Sequence, residues 1–176
     1  MIAPDNPCRD RIRIVSFGPD FEDEETYDLV LMLDVLEHIK DDRGATRRLF
    51  DLLSPGGHAI ITVPALPGLW SMHDIVNRHH RRYTKESLGS TLTSSGLKIL
   101  KMRYMFGWVA AALVFRRLLS PPEDITEEEP EESSYRVSVP PGPINASLYA
   151  LCRIEELTIG RVGLPTGSSL IALVGR

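Results

Sequence analysis

The sequence predicts an α/β fold built on a mostly parallel sheet with an antiparallel last strand. Three observations carry this. Residues 27–39 (YDLVLMLDVLEHI) contain a short apolar run without alternation, the pattern of a strand buried on both faces. Strand-like and helix-like segments alternate through the first half, which argues a parallel sheet with right-handed crossovers. The last two strand-like segments, 97–104 and 168–174, are separated by a long detour, which leaves room for one of them to run antiparallel.

In chain order, residues 12–17 (IRIVSF) carry the β-branched residues of a first strand, stopped by Gly18-Pro19-Asp20. The strand at 28–33 follows an acidic loop. Residues 41–53 place Ala45, Leu49, Leu52 and Leu53 at helical spacing, with Asp41 or Asp42 as cap and Ser54-Pro55-Gly56-Gly57 as stop. Residues 58–63 (HAIITV) read as a strand closed by Pro64. A long loop fills 65–83, and Thr84 caps a helix that Gly96 ends. Residues 106–119 (FGWVAAALVFRRLL) form an apolar helix with a basic tail. An acidic, proline-rich loop at 120–143 precedes a helix from 144 to about 161. A turn at 163–167 then leads into the last strand.

At 176 residues, 43% apolar and 25% charged, the chain suits one domain with a proper core. A net charge of −4 gives no support to a nucleic-acid partner. Cys8 and Cys152 have neither disulfide-framework nor metal spacing and read as free thiols of a reducing compartment. The N-terminus lacks the apolar core of a signal peptide, and no apolar run reaches the ~18 residues of a membrane span. A cytoplasmic location is expected.

Residues 27–39, LSPGG at 53–57 and the strand up to Pro64 resemble the second half of a class I S-adenosylmethionine-dependent methyltransferase. The loop LWSMHDIVNRHHRRY (69–83) and LPTGSSL (164–170) are similar to a bacterial subgroup of that family. The resemblance covers nearly everything after residue 12. It implies a partial Rossmann-like fold with helices on both faces of the sheet. The family's glycine-rich G-x-G turn and the acidic residue closing its next strand have no counterpart in this sequence. The resemblance therefore implies a single, N-terminally truncated domain over 1–176. It supplies one side of an S-adenosylmethionine pocket and needs the missing half to complete it.

The resemblance also assigns sites. Asp20 and Phe21 would meet the adenine, and Leu33, Asp34, Val35 and His38 would line the methionine end. Residues 65–83 would close over the acceptor, with Trp70, His73, Asp74, His79, Arg82 and Tyr83 around it. His38, His73 and His79 are the candidate catalytic groups, since a neutral imidazole can take a proton near neutral pH. Against this, Asp34, Glu37 and His38 also suit a helix N-terminus, and the loop residues could simply pair with one another. His73, Asp74, His79 and His80 together invite a metal. However, an HD-type phosphohydrolase needs further ligands on other helices, and residues 34–38 lack the first histidine of H-x-x-E-H. No metal is expected.

The implied reaction is methyl transfer to a small or lipid-linked acceptor, with the 106–119 helix either crossing the sheet or lying on a membrane surface. The alternative is a non-catalytic interaction module. Without the family's first strands, residues 28–33 become an exposed apolar edge. Residues 12–17 fold back onto that edge, two chains pair there as a homodimer, or further sequence supplies the missing half; a chain that folds alone favours the first two.

Overall fold

The computed structural model describes residues 11–15, 17, 18, 21, 23, 25–119, 141–158 and 163–176. Its elements in chain order are β1 (Tyr27–Leu33), α1 (Asp42–Leu52), β2 (Leu53–Pro64), α2 (Met72–Val76), α3 (Lys85–Ser94), β3 (Lys98–Met105), α4 (Gly107–Leu119), α5 (Gly142–Thr158) and β4 (Ser169–Gly175).

The four strands form one sheet in the order β1-β2-β4-β3. β1 and β2 are parallel, with Leu29 opposite His58 and Leu33 opposite Thr62. β4 inserts antiparallel between β2 and β3, pairing Ile61 with Ala172 and Met102 with Ala172 on its two sides. The sheet is therefore mixed rather than mostly parallel: one late strand entering between two others makes two of the three ladders antiparallel.

Local signals account for most boundaries. Asp41 caps α1, its side chain accepting from the Gly44 amide at 2.9 Å. Thr84 and Ser87 form a capping box on α3. Gly96, at φ +89°, turns the chain out of that helix against Phe50. The glycines expected only to stop α1 already belong to β2. A Cβ on Gly57 would lie 2.9 Å from the carbonyl oxygens of Tyr27 and Ser54, so glycine allows the close approach to β1 there.

The core lies on one face of the sheet. Met32, Ala59, Ile61, Val63, Leu170, Ala172 and Val174 meet Leu49, Leu88 and Leu92 from α1 and α3, all essentially buried. The opposite face of β1 is open: Leu29, Leu31 and Leu33 are 54%, 58% and 53% exposed. The expectations of a strand buried on both faces and of helices on both faces thus fail at β1. No described helix packs there.

Residues 12–15 and 17 form no strand, and Ile12, Ile14 and Val15 are exposed. β-Branched residues make a strand only where a partner ladder accepts them, and among the described residues β1 pairs with β2 alone. Instead Arg13 reaches Tyr27 Oη at 2.9 Å and Asp23 at 2.8 Å. Glu155 of α5 accepts from the Gly107 amide at 2.9 Å, so the two helices after β3 touch at the start of α4. Of the acidic loop at 120–143, residues 120–140 lie outside the described residues, while Gly142 and Pro143 open α5. No described helix is long and apolar enough to cross a membrane.

Candidate active site

The C-terminal end of β1 turns sharply at Asp34. This residue adopts the left-handed region at φ 51°, where Asp is tolerated better than most side chains. Its amide donates to Thr62 O at 3.1 Å and to Thr62 Oγ1 at 3.0 Å, and Thr62 Oγ1 lies 3.0 Å from Asp34 Oδ1. β2 therefore pins the turn. Leu36–His38 then make one 3-10 turn, which sends Glu37 inward at 1% exposure and leaves His38 outside.

The 65–83 loop folds over this turn. Ala65 bridges to Tyr83, and the His80 amide donates to Glu37 O at 2.8 Å. The loop's centre is Asp74, which is fully buried. Its Oδ2 accepts from the Ser71 amide at 2.9 Å, and its Oδ1 accepts from His79 Nδ1 at 2.9 Å and Arg82 Nε at 2.8 Å. Arg82 also donates to Ala65 O at 3.2 Å. Burial works against the Asp74 charge, but the Arg82 and His79 hydrogen bonds prevail and hold its pKa below the usual range. A second bracket joins Tyr83 Oη and Arg81 to Asp42 at 3.0 and 2.8 Å.

His79 is the loop residue aimed at the β1 turn. Its ring stands edge-on to His38 at 4.7 Å and to His73 at 6.4 Å. Burial, together with the His38 and His73 charges, keeps its pKa below the ordinary value despite Asp74. An ionised carboxylate only accepts, so His79 Nδ1 carries the proton toward Asp74 and Nε2 keeps its lone pair. Glu37 is the opposite case. Its Oε2 is buried with no hydrogen-bond partner. Burial, helped by the Asp34 and Asp74 charges, pushes its carboxyl up to about 7.

The fold thus gathers Leu33, Asp34, Val35, His38, His73, Asp74, His79, Arg82 and Tyr83 around one end of the parallel pair. Tyr83 is buried in the core and its hydroxyl donates to Asp42. Trp70 is half-buried and offers its carbonyl to Arg117 of α4 at 3.2 Å. Phe21 stands against Phe17, ring centroids 5.5 Å apart, and its carbonyl accepts from Arg48 at 3.0 Å. Asp20 lies outside the described residues. His58 sits at the opposite end of the β1–β2 ladder. The sequence marks Glu37 only as part of a Glu-His pair at the end of an apolar strand, and its burial does not show there.

Residues 3–102 match a family model described as a methyltransferase domain. The chain belongs to that family. No curated protein matches this methyltransferase-domain chain. Among solved structures it is similar to an S-adenosylmethionine-dependent methyltransferase from Mesorhizobium loti, at 16% identity over 86% of this chain and 62% of that one, TM-score 0.46. An S-adenosylmethionine-dependent methyltransferase from Archaeoglobus fulgidus matches at 12% identity over 86% and 60%, TM-score 0.42. Phosphoethanolamine N-methyltransferase 2 of Haemonchus contortus, in complex with S-adenosyl-L-methionine, matches at 16% identity over 85% and 33%, TM-score 0.45. The chain spans less than two thirds of each of these proteins.

Proposed function

We propose that this domain serves S-adenosylmethionine-dependent methyl transfer to a small or lipid-linked acceptor. The observation that carries the reading is the methyltransferase-domain match over residues 3–102, which spans both the β1 turn and the loop that closes on it. Ligands of open α/β sheets bind at the carboxyl ends of parallel strands, and β1 and β2 end together here.

The groups present suit a sulfonium compound. Asp34 is an exposed carboxylate beside the half-exposed, apolar Leu33, and Glu37 adds a second acid behind them. Asp34, with the backbone of Leu33 and Val35, would hold the amino-acid end of the cofactor, and Phe21 would lie toward its ring. When bound, S-adenosylmethionine supplies the electrophilic methyl group. This chain's residues then orient and enclose the acceptor, which is most of what in-line transfer requires. The Asp74–Arg82–Ser71 network fixes His79, whose Nε2 faces the acceptor side. His38 borders the opening, and His73 stands behind His79. Arg117 ties α4 to the loop through Gly68 O at 2.6 Å. The exposed Phe115, Leu118 and Leu119 on that helix support an acceptor with an apolar part. Among the described residues β1 pairs with β2 alone, which supports pairing of two copies at its other edge.

Equilibrium dialysis of the full chain against methyl-labelled S-adenosylmethionine tests the reading. Saturable binding, weakened at least tenfold by Asp34→Ala, is expected. An absence of binding at millimolar cofactor would overturn cofactor use by this chain.

A further inference from the structure

Glu37, His38 and His79 each offer one ligating atom, and these atoms lie within 4.8 Å of one another. We infer that they form a site for a divalent transition cation of the zinc class, with three protein ligands and an open position. The site stands whether or not the chain transfers a methyl group.

Four features of the site support this. The ligand set, two imidazoles and a carboxylate, is the one used where a metal keeps a free coordination position for water or substrate. Glu37 is 1% exposed and its Oε2 has no partner, although buried polar atoms are nearly always satisfied. A cation removes the cost of that orphaned carboxylate directly. His79 already has the orientation of a metal ligand: Nδ1 is engaged at 2.9 Å by the buried Asp74, which leaves Nε2 for the metal. A carboxylate behind a ligating histidine is the usual outer shell of such sites. Arg82, 2.8 Å from Asp74, balances that second carboxylate, so the cation answers Glu37 alone. Finally, His38 is exposed, with its ring already beside that of His79. Ligands about 2.0–2.1 Å from a tetrahedral metal sit roughly 3.3 Å apart, so binding draws together atoms that already lie within 4.8 Å of one another.

The sequence misses this grouping because its two halves lie more than forty residues apart, at positions 37–38 and 79. The local histidine density points instead to His73 and His80. Those two lie outside the cluster: His73 Nε2 is 3.1 Å from Asn77 Nδ2, and the exposed His80 contributes its amide to Glu37 O.

Cobalt(II) titration of the full chain, followed by visible absorption, tests the inference. One equivalent of Co2+ should give the d–d bands of a low-coordinate nitrogen–oxygen site, and Zn2+ should abolish them. Glu37→Gln and His38→Ala should each weaken cobalt binding at least tenfold. Asp74→Asn, acting through His79, should weaken it about 10–100-fold. His58→Ala, at the far end of the ladder, should leave it unchanged. His38 is exposed, so its variant keeps the test valid even if a buried substitution fails to fold; circular dichroism checks each. Absence of bands at equimolar cobalt, or bands undiminished in both Glu37→Gln and His38→Ala, would overturn the site.

Discussion

Asp74 of the loop and Glu37 of the β1 turn are equally buried acids, and they are treated in opposite ways. Asp74 is surrounded: Ser71, His79 and Arg82 all donate to it. Its charge is kept, and its role is to hold the loop in shape. Glu37 has its backbone carbonyl bound by the loop but one carboxyl oxygen left with nothing. Its pKa rises to about 7, because burial outweighs the one backbone hydrogen bond that favours its charge. A buried acid that is fully partnered builds structure. One that is buried without a partner raises the energy of the empty site and is relieved by a ligand. In the proposed site the loop is therefore mainly scaffold, contributing His79, and the β1 turn contributes the unpartnered acid.

Substitutions that exchange these roles test the contrast. Asp74→Ala should have the largest effect. It strands the Arg82 guanidinium, whose side chain is 8% exposed, and should cost about 3–5 kcal/mol in urea denaturation. Glu37→Leu should act in the other direction, removing an unsatisfied acceptor and raising stability by about 1–3 kcal/mol while abolishing ligand binding at the turn. A loss of stability as large as that of Asp74→Ala would show that Glu37 is also structural. Ser71→Ala removes the hydroxyl that caps α2 and donates to Asp74 Oδ2 at 3.3 Å, keeps the amide bond to the same oxygen, and should cost about 1 kcal/mol. His38→Ala should leave stability within about 0.5 kcal/mol, as surface substitutions do, while still weakening cobalt binding.

Much of the scaffold is legible in the sequence, because it rests on short-range rules. Asp41 and Thr84 announce their helices, Gly96 ends one, and residues 28–33 read as a strand without tertiary information. The failures share a cause in long-range contacts. A run such as LVLML cannot say which of its faces will be covered, and here only the Val30 and Met32 side packs on the core. The β-branched residues at 12–15 have strand propensity but no ladder. The mixed sheet depends on where β4 inserts, which periodicity does not encode. The site follows the same division. The density of polar groups at 73–83 marks the loop, and its internal pairing is a short-range matter. The burial of Glu37 depends on a loop forty residues away closing over it, so the sequence presents it only as an acid beside a helix start.

The most direct test of the proposed site is anomalous diffraction at the zinc edge from crystals of the full chain grown with Zn2+. One strong peak bonded to Glu37, His38 and His79 Nε2 is expected, with Asp74 still holding Nδ1. An empty turn, or zinc found only at His58, His73 or His80, would contradict it.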